Sequence, residues 1–178
     1  MKLSNQKRML TITFLLALAA QVLPPSANAG SRMRVQVSVV DSSTSVPDFH
    51  NCDPNTFLPL DSGACVGIQA TTGTTSGSVE ATYFDEANFA VLATGDAPFS
   101  SFKTLTGSVQ GRGSGSFTLF EEGVVSPSGH LASKWRVVKG SGTANLVGIS
   151  GSGEIVGTYD SSTGLATGTL SGVLGFDK

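Results

Sequence analysis

Few residues in this sequence have the side chains needed for acid–base chemistry. Glu121 and Glu122 stand side by side at the end of a strand-like run, and His50 and His130 lie among turn residues. Adjacent residues of a strand point to opposite faces of a sheet, so the two glutamates cannot form a shared acid–base pair. One of them could still face a cavity mouth, where apolar surroundings raise a carboxyl pKa and allow proton transfer. The simpler interpretation places all four side chains in solvent.

The two cysteines, Cys52 and Cys65, could form a disulfide or contribute to a metal site. They flank a segment rich in turn residues. A disulfide would close a loop of about 14 residues and stabilise the fold by roughly 3 kcal/mol. The alternative is a metal site of His50, both cysteines and a nearby aspartate, but no second Cys or His cluster completes a tetrahedral shell. We predict the disulfide, no metal and no cofactor.

The N-terminus has the features of a secretory signal peptide. Lys2, Lys7 and Arg8 supply positive charge, and residues 9–20 are apolar. An Ala-Asn-Ala motif then predicts cleavage between Ala29 and Gly30. The alternative is a membrane anchor, but an apolar stretch of about a dozen residues is shorter than the roughly 20 that span a bilayer. We expect a secreted or periplasmic protein whose mature chain has no membrane span.

The composition limits the possible fold classes and binding partners. Cleavage removes three of the 11 Lys and Arg and none of the 13 Asp and Glu, so the mature net charge is 8 − 13 = −5. A mildly acidic chain lacks the basic footprint of nucleic-acid binding, so we expect no nucleic-acid partner. The 22 glycines work against long helices, because each costs roughly 1 kcal/mol in a helix.

The elements that position these residues are short runs with a period of two, typical of antiparallel strands. Val79, Ala81 and Tyr83, for example, share one face. We predict an all-β fold, a closed antiparallel barrel of eight or nine strands, with a β-sandwich as the alternative. Glycines inside the strands and the removal of exposed edges favour closure. The predicted strands are 33–40, 65–72, 77–85, 87–94, 99–109, 114–122, 131–138, 152–159 and 165–174.

Three divisions of the chain follow from these predictions. Residues 1–29 are the signal peptide, 30–66 an N-terminal strand with a disulfide-tied loop, and 67–178 the barrel domain.

The glycine-rich run 111–115 is followed by a strand instead of the helix that a dinucleotide-binding loop requires, so it predicts a hairpin turn.

The interior of a closed barrel is both its core and its natural cavity. Large aromatic residues on the strands are therefore either core residues or cavity residues, and core packing is the simpler interpretation. Our candidates for ligand contact are Tyr83, Phe117, Glu121 and Trp135.

Two segments carry a family resemblance. Trp135-Arg136-Val137-Val138 is followed by Gly-Ser-Gly-Thr at 140–143 and by glycines at 151 and 153, and residues 105–119 read LTGSVQGRGSGSFTL. Both resemble a bacterial family of unknown function with an allene-oxide-cyclase-like barrel, and plant dirigent proteins share a looser version. The resemblance covers 67–176 and implies cofactor-free handling of an apolar molecule. It also implies a homo-oligomer and transfers no catalytic residue.

The first of these segments also predicts local structure. Thr143 is expected to cap a short helical turn, and Gly148 to end that turn in a left-handed conformation.

Three functions remain open at this stage. The first is an exported barrel that binds a small apolar molecule, and the second is a cofactor-free cyclase or isomerase with Glu121 or Glu122 and Tyr83 handling protons. The third is a structural or surface-interaction protein whose barrel is filled by side chains. A cavity smaller than roughly 300 Å³ would favour the third.

Overall fold

The computed structural model describes residues 30–45, 47–53, 56, 58–61 and 63–177. Within them the chain forms nine strands and one short 3-10 helix, Ala144–Leu146, and no helix there is long and apolar enough to cross a membrane. The predicted signal peptide lies outside the described residues. The strands are β1 Ser31–Thr44, β2 Asp48–His50, β3 Cys65–Gly77, β4 Val79–Val91, β5 Ala97–Val109, β6 Gly113–Val125, β7 His130–Val137, β8 Ile149–Asp160 and β9 Leu165–Phe176.

The strands form a closed antiparallel barrel. Strands β3 to β9 pair in chain order, and β1 then pairs with both β9 and β3. Val39 marks the closure, since its partners are Gly168 on β9 and Thr75 on β3. The barrel thus has eight strands, with β2 as an extra strand on β3. The predicted closed barrel is confirmed over the sandwich, and it includes a strand from the 30–66 segment that the sequence analysis placed before it.

Strand β4 differs from its prediction. The sequence suggested two strands, 77–85 and 87–94, whereas the structure has the single strand Val79–Val91. The Asp-Glu pair at 85 and 86 resembles a break because charged residues are uncommon in strands. Asp85 instead faces the interior, opposite Lys103 on β5, and Glu86 faces outward, so the alternation continues unbroken.

The turn before β8 matches the prediction in part. Gly148 has a φ of 77°, the left-handed conformation expected of it. Thr143 precedes the 3-10 helix, but its hydroxyl makes no capping hydrogen bond. That hydroxyl lies 2.9 Å from Ser116 N, and it therefore ties the turn to β6.

One half of the barrel interior is solidly packed. We call this the packed half, and the space left among its side chains is about 10 Å³, at the lower limit for one water molecule. Trp135 fits there because glycines face its ring, and a Cβ on Gly153 would come within 2.7 Å of the ring. The residues of the packed half are Val35, Val37, Val79, Leu105, Phe117, Leu119, Trp135, Leu170 and Leu174.

Candidate functional site

The other half of the barrel contains a cavity of about 970 Å³. It lies at the end where β1, β4, β6 and β8 finish and β3, β5, β7 and β9 begin, because residues from these strand ends line it. The segment between β1 and β3, which includes the short strand β2, contributes Pro47, Phe49 and Leu58 to its wall. We call this region the cavity half.

Apolar side chains make up much of the cavity wall. Phe49 and Phe89 pack edge to face, with ring centroids 5.4 Å apart. The cavity therefore offers an apolar surface to any molecule that enters it. The apolar lining residues on the strands are Val39, Phe49, Ala87, Phe89, Val91, Ala97, Phe99, Val125, Leu131, Ile155 and Ala166.

A buried ion-pair cluster borders the cavity toward the barrel centre. Lys103 Nζ lies 3.2 Å from Glu121 Oε2 and 3.5 Å from Asp85 Oδ2. Strand register brings them together, since Asp85 is paired with Lys103, and Ser101, two residues before Lys103, is paired with Glu121. Ser133 donates a 2.6 Å hydrogen bond to Glu121 Oε1. The cluster thus spans β4 to β7.

Closure of the barrel adds Asp41 of β1 to this cluster. Tyr83 donates a hydrogen bond to Asp41 Oδ1, and the backbone N–H of Ala166 donates one of 2.7 Å to Oδ2. Gly73 pairs with Tyr83 across the strands, and a Cβ there would lie 2.2 Å from the Tyr83 hydroxyl. Only glycine therefore leaves room for the ring to lie as it does.

These contacts move three pKa values. Burial raises the pKa of the Asp41 carboxyl, although the hydrogen bonds from Tyr83 and Ala166 oppose the change. Burial and the hydrogen bond to Asp41 raise the pKa of Tyr83, so its hydroxyl acts as a donor at neutral pH. Burial alone would lower the pKa of Lys103, but the neighbouring carboxylates raise it, and Lys103 stays charged.

The loop over the cavity is attached to the barrel by the predicted disulfide. Cys52 and Cys65 are bonded, with their Cα atoms 4.7 Å apart. Cys65 begins β3, and it is fully buried, so the bond attaches the loop to a barrel strand. His50, the histidine of the alternative metal site, instead has its Nε2 3.7 Å from Asp48 Oδ2, and both side chains are largely exposed.

Comparison with known proteins identifies the family but no activity. The model of the family described as protein of unknown function (DUF3224) matches residues 47–175. This chain belongs to the DUF3224 family. No curated protein matches it.

A crystal structure of another DUF3224 protein, from Shewanella oneidensis MR-1 and itself of unknown function, shares the fold. The two chains are 22% identical with a TM-score of 0.54, and the match covers 80% of this chain and 97% of the other. At this level of identity the likeness supports the fold alone.

The structure separates the four ligand-contact candidates of this DUF3224 protein. Glu121 lines the cavity, and Tyr83 lies beside it, with its ring 4.8 Å from Lys103 Nζ. Phe117 and Trp135 belong to the packed half and do not line the cavity, because their rings fill the space between opposite strands. Glu122 is exposed on the outer face, which removes it from any chemistry inside the barrel.

Sequence reasoning missed three charged members of the cluster, although a signal was present. Asp85 follows the inward-facing Tyr83 by two residues, and Lys103 precedes the inward-facing Leu105 by two. Strand periodicity therefore places both charges inside the barrel. Asp41 follows the inward-facing Val39 in the same way, but only barrel closure brings it to Tyr83.

Proposed function

We propose that this DUF3224 barrel binds a small, largely apolar molecule in the cavity half, without a metal or redox cofactor. The observation that carries the proposal is the cavity of about 970 Å³, walled by apolar side chains and ending on a few convergent polar groups. Ligand sites in proteins typically have volumes of roughly 300–1,000 Å³ and this combination of linings. The cavity also speaks against a completely filled barrel.

A cavity-filling substitution tests the proposal. Ala87 lines the cavity and is half-buried, whereas Ala132 is exposed on the outer face. We expect Ala87→Phe to weaken binding of the neutral fluorescent probe N-phenyl-1-naphthylamine at least about tenfold, or about 1.4 kcal/mol. The control, Ala132→Phe, should bind the probe like the wild type.

Native mass spectrometry of the purified wild-type protein gives a second readout. A co-purified small molecule that is absent from Ala87→Phe and present in Ala132→Phe would support the proposal. If the wild type binds no probe, or binds it equally well after Ala87→Phe, the barrel interior is not the binding site and the proposal fails.

A cofactor-free cyclase or isomerase is the second candidate, and the position of Asp41 favours it. Asp41 lines the cavity, burial raises its pKa, and the hydroxyl of Tyr83 is its hydrogen-bond donor. A cavity-facing carboxyl with a raised pKa is suited to accept a proton from a bound molecule and return it. The resemblance to allene-oxide-cyclase-like barrels supports the same idea, since those enzymes convert apolar molecules without a cofactor.

Turnover of a captured ligand distinguishes an enzyme from a binder. If the barrel is an isomerase, Asp41→Asn should abolish conversion of the ligand and leave its affinity nearly unchanged. Glu122→Gln is the control, because that side chain is exposed on the outer face. Conversion that survives Asp41→Asn would exclude Asp41 as the proton acceptor.

We also propose that the protein is exported after cleavage at Ala29. The Cys52–Cys65 disulfide supports this, since disulfides persist mainly in oxidising compartments. Sequencing the N-terminus of the protein recovered from its native host should give Gly30 as the first residue. An intact N-terminus in the cytoplasmic fraction would contradict export.

A further inference from the structure

The charged side chains lining the cavity are unequal in number. Asp41, Asp85, Glu121 and Asp160 contribute carboxyl groups, whereas Lys103 is the one lysine or arginine lining the cavity among the described residues. Asp160 sits at the exposed rim, and the other three surround Lys103. Counted as ionised groups, the inner cluster has a surplus of two negative charges.

Lys103 is already engaged by its neighbours and is therefore a poor partner for an anionic ligand. Its ammonium group contacts Glu121 at 3.2 Å and Asp85 at 3.5 Å, and it lies 4.8 Å from the centre of the Tyr83 ring. Its side chain is only 8% exposed. An anion entering the cavity would therefore meet carboxylates before it could reach the lysine.

The three inner carboxyl groups differ in the number of hydrogen-bond and ion-pair partners that they have. Both oxygens of Asp41 accept hydrogen bonds. Glu121 accepts a hydrogen bond from Ser133 at Oε1, and its buried Oε2 accepts none from any described residue but lies 3.2 Å from Lys103 Nζ. Asp85 has the 3.5 Å contact with Lys103, and its buried Oδ1 accepts no hydrogen bond from any described residue. Its side chain is also 14% exposed, against 3% for Glu121.

Asp85 is therefore the carboxylate best placed to receive a hydrogen-bond donor from the cavity. The terminal torsion of an aspartate is broad, so a modest rotation of the carboxylate can turn Oδ1 toward a donor at low cost. A buried carboxylate without a full set of partners is costly, and a charged donor would offset that cost. Next to Asp85 the cavity wall becomes apolar, with Ala87 and Phe89 farther along β4 and Phe99 on β5.

We propose that the cavity selects molecules with an apolar body and a protonated amine, with Asp85 as the main contact of the amine. This inference rests on the proposed function, because it names the ligand class of the same cavity. The apolar walls would hold the body, and the surplus negative charge of the inner cluster would favour the cation. A carboxylate of the same size would be repelled.

A matched series of three probes tests the choice of head group. n-Decylamine, n-decanol and n-decanoate share one chain and differ in charge, so each is titrated against bound N-phenyl-1-naphthylamine at pH 7. We expect decylamine to displace the probe at a concentration at least about tenfold lower than decanoate, with decanol between them. A tenfold ratio corresponds to about 1.4 kcal/mol.

Two neighbouring substitutions localise the effect. Asp85 faces the cavity and Glu86 faces outward on the same strand. Asp85→Asn should remove most of the preference for decylamine and leave decanol unchanged, whereas Glu86→Gln should keep the wild-type order. The thermal unfolding curve of each variant shows whether it is folded.

The outcomes of this experiment separate the two proposals. If the probe does not bind the wild type, the proposed function fails. If it binds, but decanoate competes as well as decylamine or better, the amine inference is overturned while the binding function stands. A preference for decylamine that persists in folded Asp85→Asn would overturn the role of Asp85. If Asp85→Asn does not fold, the order of the three probes on the wild type still decides the inference.

Discussion

The packed half and the cavity half are built from the same eight strands but have opposite interiors. The packed half leaves about 10 Å³ among its side chains, whereas the other half encloses about 970 Å³. Inward positions of β4, β5 and β6 change type between them, from Val79, Leu105 and Phe117 to Asp85, Lys103 and Glu121. One continuous sheet therefore combines a dry core with a charged, hollow end.

The difference indicates that the two halves contribute differently to the stability of the protein. Close packing of apolar side chains stabilises a fold, and large-to-small changes there are costly. A buried ion pair is weak evidence for stability, because the cost of desolvating its charges offsets their attraction. The packed half is thus the main source of stability, and under the proposed function the charges around Lys103 serve ligand recognition. Four predictions test this contrast, in order of decreasing effect.

The largest effect is expected from truncating the core of the packed half. Trp135 is 3% exposed, and its Nε1 donates a hydrogen bond of 3.2 Å to Ser171 O. Trp135→Ala should lower the free energy of unfolding by about 3–5 kcal/mol, measured by urea denaturation. Folded Trp135→Ala should bind N-phenyl-1-naphthylamine like the wild type.

Phe99 of the cavity wall is the matched aromatic control. It is half-buried and borders open space, so Phe99→Ala should cost less stability than Trp135→Ala and weaken probe binding about three- to tenfold. Equal losses of stability and of binding in the two variants would contradict the division between the halves.

Removing the disulfide should affect both stability and the cavity. The bond closes a segment with a sequence separation of 13, and its loss in the Cys52→Ser/Cys65→Ser double variant should cost about 3 kcal/mol of unfolding free energy. Probe affinity should also fall, because Leu58 within this segment and Phe49 just before it line the cavity. Wild-type protein treated with a reductant should behave like the variant, and unchanged affinity in both would show that the loop does not contribute to binding.

A smaller effect is expected at the turn that closes the packed end. Gly148 has a φ of 77°, and a Cβ there would lie 3.1 Å from Asp177 O. Gly148→Val should lower the free energy of unfolding by at least about 1–2 kcal/mol, the cost of a left-handed residue, with a lower melting temperature. Gly140 is the control, since its φ is 78° but a Cβ would meet no atom within 4 Å. Gly140→Val should therefore cost less, and an unchanged melting temperature for Gly148→Val would disprove the expectation.

The smallest effect concerns the pH dependence of Asp41. Burial raises the pKa of its carboxyl above 3.8 in the folded state, so the folded protein binds the proton more tightly than the unfolded chain. The resulting stabilisation is complete below pH 3.8 and is lost as the pH rises through the folded pKa. Wild type should therefore gain stability relative to Asp41→Asn between pH 7 and pH 4, measured by urea denaturation at both values. A difference that stays constant or shrinks on acidification would contradict this sign.

Much of the fold could be predicted from local pattern. Alternation along runs such as 131–138 identifies strands, glycines and short turns indicate antiparallel neighbours, and Cys52 and Cys65 predict their own bond. The single strand Val79–Val91 differs from the predicted strands 77–85 and 87–94, because the adjacent charges of Asp85 and Glu86 resemble a break between two strands. Alternation from Tyr83 places Asp85 inside the barrel, but its charge is explained only once Lys103 is known to lie opposite.

The sequence by itself determined the antiparallel strands and the disulfide, and it favoured a closed barrel over a sandwich, because a period of two and turn chemistry act between near neighbours. Only the tertiary structure decided that β1 closes the sheet, that Asp41 meets Tyr83, and that Lys103 lies among three carboxyl groups. Those contacts depend on strand register across the whole barrel. The division into a packed half and a cavity half is likewise a property of that register.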